Sequence, residues 1–361
     1  MLRSFLGIGR GLEGGRWYGT RSAIFGNNVP ERVTICEVGC RDGLQNEKML
    51  VPTDIKVELI QRLGMSGLRT IEATSFVSPR WVPQMSDNFE IMSQLDTSQA
   101  RFPVLVPNKQ GLLSALEAGT KAIAFFTAAS ETFCQKNMNC TYEDSLARFR
   151  ECLRHIPDDV HVRGYVSCVL GCPYEHGVSY ERVAEVCQDL VDLGCHEISL
   201  GDTIGIGTAG ETALMLEEVL KKIPKEMLAV HFHDTYGQAL SNILVSLQMG
   251  IGTVDSSVSG LGGCPYAPAA SGNVATEDVV YMLHGMGIET GIDLDMLVQT
   301  GEWISSILGR PTGSKVSLAR SPTHGRDYGS CVRNFFLKTP SKDGQSSTYS
   351  VRQIKDRLYE K

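Results

Sequence analysis

An apolar run that begins at Leu228 ends in two histidines, His231 and His233, separated by a single residue. Residues i and i+2 of a strand point to the same face of a sheet, so these histidines would direct two imidazoles to one point. This geometry is typical of a metal site, although two histidines at a sheet end can also be ordinary hydrogen-bonding groups. The polar turn that follows, residues 234–237, favours the metal site because α/β folds place their chemistry at the carboxyl ends of strands.

Charged side chains accompany other apolar runs at the same predicted edge. Arg41 and Asp42 end the first run, Glu72 lies in the second, and Asp202 ends the sixth. Two imidazoles and one carboxylate suit a divalent cation, and such mixed donors admit magnesium, manganese, cobalt or zinc. Each acid alone could equally be a helix cap or an ion-pair partner. The expected convergence of Asp42 with the two histidines is what favours a metal.

Glycines precede a cysteine after the last apolar run. Gly260, Gly262 and Gly263 are followed by Cys264, and Asn273 lies a few residues further on. Because glycine lacks the Cβ that restricts the backbone, we expect a flexible loop that brings the Cys264 thiol over the site. A buried, inert thiol is the ordinary alternative. Asn273 can add a carbonyl oxygen to the metal from the same side.

Two further patterns match known sites only in part. Residues 205–210 have the glycine spacing of a dinucleotide fingerprint, but they follow the sixth apolar run and not the first. Cys168 and Cys172 could form half of a zinc site, but no second pair has matching spacing. We therefore predict no nucleotide cofactor and no zinc finger.

Eight short apolar runs alternate with stretches of helical periodicity, and this alternation predicts the architecture. The runs are Val33–Val38, Thr70–Thr74, Phe102–Val106, Ala122–Phe126, Val160–Val169, Glu197–Leu200, Leu228–His233 and Thr253–Val258. They predict an α/β protein, a closed (β/α)8 TIM barrel over residues 30–320 with its site at the C-terminal ends of the strands. A doubly wound open sheet is the alternative.

Charge and composition exclude several classes of protein. The 361-residue chain has a net charge of −7 and no basic block, which disfavours a nucleic-acid partner. No apolar run reaches the length of about 18 residues that a membrane-spanning helix needs. Eleven cysteines are scattered through the chain, which favours a reducing compartment over a disulfide framework.

The two ends of the chain differ from the barrel region. Residues 1–25 contain four arginines and one acid, with apolar residues that fall on one side of a helix. This composition is typical of a mitochondrial transit peptide and predicts the mitochondrial matrix, with a disordered, unprocessed start as the alternative. Residues 323–361 are polar and predict a flexible C-terminal tail.

Five motifs together resemble the 3-hydroxy-3-methylglutaryl-CoA lyases, a metal-dependent (β/α)8 family related to the isopropylmalate and homocitrate synthases. The motifs lie in order at Val38–Glu47, Phe76–Pro79, Gly201–Gly205, His231–Gln238 and Gly260–Tyr266. The resemblance implies cleavage of 3-hydroxy-3-methylglutaryl-CoA to acetyl-CoA and acetoacetate, in leucine catabolism and ketone-body formation. It also implies an acyl-CoA substrate and a homodimer.

The resemblance extends to individual site residues. It implies a divalent cation, magnesium or manganese, bound by Asp42, His231, His233 and Asn273, and catalytic roles for Arg41, Glu72, Asp202, His233 and Cys264. The reaction explains these residue types. An arginine can stabilise the enolate oxygen of the departing thioester. His233 or Asp42 can relay the proton of the substrate hydroxyl, and Cys264 can protonate the enolate carbon.

Two rival functions remain at this point. A synthase of the same superfamily would condense an α-keto acid with acetyl-CoA, and such synthases generally carry Gly-Glu-Gln-like variants where this chain has Gly43-Leu44-Gln45. A catalytically silent barrel that only binds a partner would be expected to have lost a metal ligand, and none is lost. Cys40 stands where the lyases commonly have proline, a small change beside Arg41.

Overall fold

All eight predicted strands form, and they are parallel neighbours in one sheet. The structure, a computed structural model, describes residues 25–175, 177–263, 272–320, 336–339 and 347–350. The strands are β1 (Thr34–Glu37), β2 (Thr70–Ile71), β3 (Thr74–Ser75), β4 (Val104–Leu105), β5 (Ala122–Ala128), β6 (His161–Ser167), β7 (Glu197–Asp202), β8 (Leu228–Phe232) and β9 (Thr253–Ser256). The predicted boundaries differ from these by a few residues.

The sheet closes on itself through the second predicted strand, which is divided into β2 and β3. β2 pairs with β1, and β3 pairs with β4. Between them, the Glu72 N–H donates to the Glu37 carbonyl at 2.8 Å and the Ala73 N–H donates to the Pro103 carbonyl at 2.9 Å. β2 and β3 are therefore two halves of one strand that contacts both neighbours, so the sheet is a closed (β/α)8 barrel and not an open doubly wound sheet.

Helices follow the strands and cover the outside of the barrel. They are Thr53–Met65, Asn88–Met92, Lys109–Glu117, Glu131–Phe133, Tyr142–Leu153, Tyr180–Asp192, Ala209–Val219, Ala239–Gln248, Thr276–Gly285, Leu294–Leu308 and Lys315–Arg320. Two of them begin with a capping box, formed by Thr141 with Asp144 and by Thr208 with Glu211. The apolar face of Tyr180–Asp192, which includes Val183 and Leu190, is fully buried. This amphipathic pattern is why the helices pack on the sheet.

The inside of the barrel is unusually polar for a buried space. Glu72, Arg163, Ser199 and Asp255, all on or beside strands, are at most 2% exposed. Because a buried polar group is costly unless it is hydrogen-bonded, these residues must satisfy one another or a bound molecule. The polar interior therefore lies directly beneath the edge where the sequence predicts the site.

The ends of the chain are described only in part. The predicted transit segment, residues 1–25, is outside the described residues except for Phe25. In the C-terminal region, β10 (Phe336–Thr339) and β11 (Ser347–Ser350) pair with each other in antiparallel fashion, a pairing that the polarity of residues 323–361 did not predict. Among the described residues, no helix combines the length and the apolar character needed to cross a membrane.

Candidate active site

Asp42, His231 and His233 meet at the carboxyl end of the barrel. One potential ligand atom from each lies within 4.8 Å of the others, and the two imidazole centroids are 5.5 Å apart. Asp42 lies in a π-helical turn, Gly39–Gly43, directly after β1. His231 lies in β8, and His233 follows the last residue of that strand. The structure thus brings together the three residues that the strand pattern placed at one point.

Asn273 borders the same cluster. Its backbone forms an antiparallel bridge with His233. Its side-chain amide donates to Asp42 Oδ2 at 2.7 Å and to the Leu261 carbonyl at 3.1 Å. A Cβ at Gly262 would lie 2.7 Å from this amide nitrogen. Glycine at position 262 is therefore required by the close approach of Asn273, in addition to any freedom it gives the segment.

The protonation states of His233 and Asp42 suit a cation, whereas at His231 burial lowers the pKa but the Asp255 carboxylate outweighs it and raises the pKa. Burial and the neighbouring His231 lower the pKa of His233 to about 4, so its imidazole is neutral at neutral pH. Burial opposes the charge of Asp42, but Arg41 and His231 outweigh it and lower the pKa of Asp42 to about 2. A neutral imidazole and an ionised carboxylate are the forms that bind metals.

Buried nitrogen atoms give a second test of the fit. His233 Nδ1 is buried and has no hydrogen-bond partner among the described residues. His231 Nδ1 lies 3.2 Å from Asp255 Oδ2, which leaves Nε2 of that ring for another partner. Two imidazole nitrogens and one carboxylate, with an amide beside them, form a donor set for a divalent cation. The residues present therefore fit the cation that the sequence predicts.

Arg41 is buried next to this cluster, with 8% of its side chain exposed. Nη1 lies 3.0 Å from Asp42 Oδ1, and Nη2 lies 2.8 Å from Glu72 Oε2. Burial disfavours the cation, but Glu72 and Asp42 outweigh it and hold the pKa of Arg41 above its ordinary value. Its Nε is buried without a hydrogen-bond partner in the described part of the chain. The guanidinium is thus a fixed positive charge beside the possible metal ligands.

Glu72 is fully buried between two donors. Its Oε2 accepts from Arg41 and, at 3.2 Å, from the Tyr165 hydroxyl. Burial raises the pKa of Glu72 although the Arg41 charge opposes this shift. Glu72 therefore contacts Arg41 directly and does not belong to the group of three ligand atoms.

Asp202 lies at the end of β7, but its carboxylate points into its own loop. It accepts from the backbone N–H groups of Gly205 at 3.1 Å and Gly207 at 2.9 Å. Burial raises its pKa to about 6 against these hydrogen bonds. The structure therefore does not bring the Asp202 carboxylate into the cluster of Asp42 and the histidines. Cys264 lies outside the described residues.

Sequence reasoning missed Arg163, Tyr165 and Asp255, which lie inside the barrel beneath the cluster. Arg163 Nη2 pairs with Asp255 Oδ1 at 2.5 Å. The Arg163 guanidinium also lies 5.0 Å from the centre of the Tyr165 ring. A charged residue inside an otherwise apolar strand is the signal that could have found Arg163 and Asp255, because such a residue needs a buried partner.

Two buried carboxyl groups hold the start of the glycine-rich segment. Glu37 Oε1 accepts from the Val258 N–H at 2.8 Å, and Glu277 accepts from the Ser259 N–H at 2.9 and 3.0 Å. Ser259 has a left-handed backbone with φ of 58°, which is rare for residues other than glycine. The segment expected to be flexible therefore leaves the barrel from a fixed point.

Replacement of Glu277 by glutamine is expected to flatten the pH dependence of stability. Burial raises the pKa of Glu277 to about 8 from an ordinary value of 4.5. Between these values the folded chain binds a proton that the unfolded chain has released, so the free energy of unfolding falls as the pH rises. Denaturant unfolding between about pH 5 and 8.5 measures this slope, which should be shallower in Glu277→Gln.

The matched control is Glu217→Gln, an exposed glutamate on helix Ala209–Val219. Its slope should equal that of the wild type, because the substitution is on the exposed surface and leaves the buried Glu277 in place. An equal slope in Glu277→Gln would show that Glu277 is ionised in the folded protein.

Known proteins are similar to this chain in sequence and in fold. A family model described as HMGL-like matches residues 32–304. The chain is 60% identical over 293 residues to a hydroxymethylglutaryl-CoA lyase, mitochondrial, of Arabidopsis thaliana, covering 81% of this chain and 63% of that protein. It is 58% identical over 295 residues to a 3-hydroxy-3-methylglutaryl-CoA lyase, cytoplasmic, of Mus musculus, covering 81% and 85%.

A solved structure with bound ligands is also similar. It is an HMG-CoA lyase from A. baumannii in complex with coenzyme A and 3-methylmalate. The two chains are 36% identical with a TM-score of 0.77, and the match covers 82% of this chain and 98% of that chain.

Proposed function

The chain belongs to the HMGL-like family, and we propose that it is a carbon–carbon lyase that cleaves 3-hydroxy-3-methylglutaryl-CoA to acetyl-CoA and acetoacetate. The observation that carries this proposal is the position of Arg41 against the cluster of Asp42, His231 and His233. Cleavage of the C2–C3 bond must remove a proton from the C3 hydroxyl and place negative charge on the departing thioester. The site offers separate groups for these two tasks.

We propose that Asp42, His231, His233 and Asn273 hold a divalent cation, magnesium or manganese. Their mixed oxygen and nitrogen donors admit these ions as well as cobalt and zinc, and the resemblance to the lyases is what favours magnesium or manganese. When bound, the cation would act as a Lewis acid for oxygens of the substrate. Asp42 contributes the negative charge of the set, and Arg41 and Asn273 orient it through hydrogen bonds at 3.0 and 2.7 Å.

The remaining site residues stabilise the charge of the enolate and transfer protons. Arg41 stabilises the enolate oxygen, and Glu72 fixes the guanidinium through Nη2. His233, neutral at neutral pH, accepts the hydroxyl proton or relays it with Asp42, and Cys264 returns a proton to the enolate carbon. Asp202 orders the loop next to His233, where a Cβ at Gly205 would lie 2.9 Å from the His233 carbonyl oxygen.

We propose an acyl-CoA as the substrate and a homodimer as the assembly. The coenzyme A bound to the A. baumannii relative supports the first point.

We also propose that residues 1–25 direct the chain to the mitochondrial matrix, that residues 30–320 are the lyase barrel, and that residues 323–361 form a flexible tail. The arginine-rich start and the mitochondrial Arabidopsis relative support the location, while the mouse relative is named cytoplasmic.

Release of acetoacetate from 3-hydroxy-3-methylglutaryl-CoA tests the proposed function. The protein should lose activity when a chelator removes its cation and regain it with Mg²⁺ or Mn²⁺, because the ligand residues would supply no Lewis acid of their own for the substrate oxygens. A parallel assay supplies acetyl-CoA with an α-keto acid, the substrates of a synthase. The proposal fails if the metal-loaded protein condenses those substrates, or leaves 3-hydroxy-3-methylglutaryl-CoA uncleaved.

A further inference from the structure

His231 differs from His233 in having a carboxylate behind its ring. Its Nδ1 lies 3.2 Å from Asp255 Oδ2, and the register of β8 against β9 places the two residues directly opposite each other. Asp255 is fully buried, and 12% of the His231 side chain is exposed. The contact therefore lies inside the barrel, on the far side of the imidazole from any ligand held at Nε2.

Asp255 is itself held from two other sides. Its Oδ2 also accepts from the Ser199 hydroxyl at 2.8 Å, and its Oδ1 pairs with Arg163 Nη2 at 2.5 Å. Arg163 is anchored at a second point, where its Nε lies 2.9 Å from Glu197 Oε1. A carboxylate with both oxygens engaged by fixed donors has one orientation, so it presents the same oxygen to His231 at all times.

From this geometry we infer that Asp255 is a positioning residue that fixes the ring and the tautomer of His231 for metal binding. A carboxylate can only accept, so His231 must carry its proton on Nδ1 and keep the lone pair of Nε2 for the cation. The inference rests on the proposed metal site and adds to it a residue that does not touch the cation. It also makes the two histidines unequal, because His233 Nδ1 has no partner among the described residues.

Asp255→Asn is the informative variant because it changes the chemistry and keeps the shape. Arg163 donates, so the amide oxygen must face Arg163 and the amide NH₂ must face His231. The NH₂ group donates to Nδ1, which moves the imidazole proton to Nε2 and blocks the lone pair there. Loss of such a partner typically lowers metal affinity about 10- to 100-fold. We expect this loss when Mn²⁺ is titrated into the metal-free full-length protein by calorimetry.

Two matched variants separate positioning from general damage to the network. Ser199→Ala removes one donor to the same carboxylate, and Glu197→Gln removes the other acid bound to Arg163, but both keep the Asp255 carboxylate as an acceptor opposite His231 Nδ1. Both should therefore lose less Mn²⁺ affinity than Asp255→Asn, because the tautomer of His231 is retained. A purely structural role for Asp255 would instead lower the unfolding temperature of Asp255→Asn and leave its Mn²⁺ affinity at the wild-type value, which would overturn the inference.

A measurement on the wild type covers the case in which Asp255→Asn does not fold. Nitrogen NMR of ¹⁵N-histidine in the Mg²⁺-loaded protein reports which ring nitrogen carries hydrogen, and His231→Gln identifies the signal. A proton on Nδ1 is expected, and a proton on Nε2 would overturn the inference. Because affinity and tautomer are read without substrate, an inactive protein with these properties would contradict the proposed reaction and leave the role of Asp255 intact.

Discussion

Arg41→Lys is expected to lower kcat for 3-hydroxy-3-methylglutaryl-CoA cleavage by about 100- to 1000-fold, the usual cost of losing one donor to a developing oxyanion. The guanidinium of Arg41 contacts two acids at once, Asp42 through Nη1 and Glu72 through Nη2. Its fork geometry allows both contacts while further N–H groups stay available to a substrate. A lysine ammonium is a compact point charge on a flexible stem and cannot reproduce this arrangement.

The split between kinetic constants identifies the role of Arg41. Loss of a contact made only in the transition state lowers kcat and kcat/KM together, whereas loss of ground-state binding raises KM alone. The control is Arg62→Lys, which alters an arginine that pairs with Glu58 and lies over the Trp303 ring on the outer helix. Its kcat should stay within about threefold of wild type.

Two outcomes would contradict this assignment. If kcat of Arg41→Lys stays within about tenfold of wild type, another group stabilises the enolate. If Mn²⁺ affinity falls as steeply as kcat, Arg41 acts by orienting Asp42, and its charge is not used on the substrate. Measuring both quantities on the same preparation separates these cases.

The sequence predicts the barrel well because each βα unit carries its own signal. Apolar runs and helical periodicity are local properties, so all eight strands could be found without knowing how they pair. The interruption at Glu72 and Ala73 was not predicted, because it arises where one strand contacts two neighbours at different points. The pairing of β10 with β11 was missed for another reason, since the two apolar residues of β10, Phe336 and Leu337, are adjacent and do not alternate with polar ones.

The site was predictable only where residues lie near one another in sequence or at strand ends. His231 and His233 share a strand end, and Asp42 lies in the turn after another strand, so the barrel rule brings them together. The partners of Arg163 lie on β1, β7 and β9, at Cys36, Glu197 and Asp255. Such a set depends on which strands face each other across a closed barrel, and no periodicity in one strand contains that information.

Asp202 shows a different limit of strand-end reasoning. The rule placed it at the correct edge, but its carboxylate accepts hydrogen bonds from the backbone N–H groups of Gly205 and Gly207 and does not join the cluster. The direction of a side chain at a strand end is set by the loop that follows, which hydrophobic patterning does not describe. A glycine-rich turn after an acid is the signal that favours this use, because its exposed N–H groups need an acceptor.

His233→Ala is expected to lower Mn²⁺ affinity more than 100-fold, a larger loss than that of an outer residue such as Asp255, because a ligand itself is removed. The His233 ring has no hydrogen-bond partner at Nδ1 among the described residues, so its removal leaves no buried donor or acceptor unpaired there. The fold should therefore persist. Calorimetric titration of the metal-free protein measures the affinity, and His284→Ala, an exposed histidine that contacts Thr290, is the matched control.

In the metal-free state, His233→Ala is also expected to change the pH dependence of stability. Burial lowers the pKa of His233 to about 4 from 6.5. Between these values the unfolded chain binds a proton that the folded chain does not, so this group makes the metal-free wild type less stable as the pH falls. His233→Ala should lose less stability than wild type between about pH 7 and 5. Wild-type affinity for Mn²⁺ together with a wild-type pH slope would mean that His233 is neither a ligand nor a buried neutral base, and the cation would have to be held by Asp42 and His231 without it.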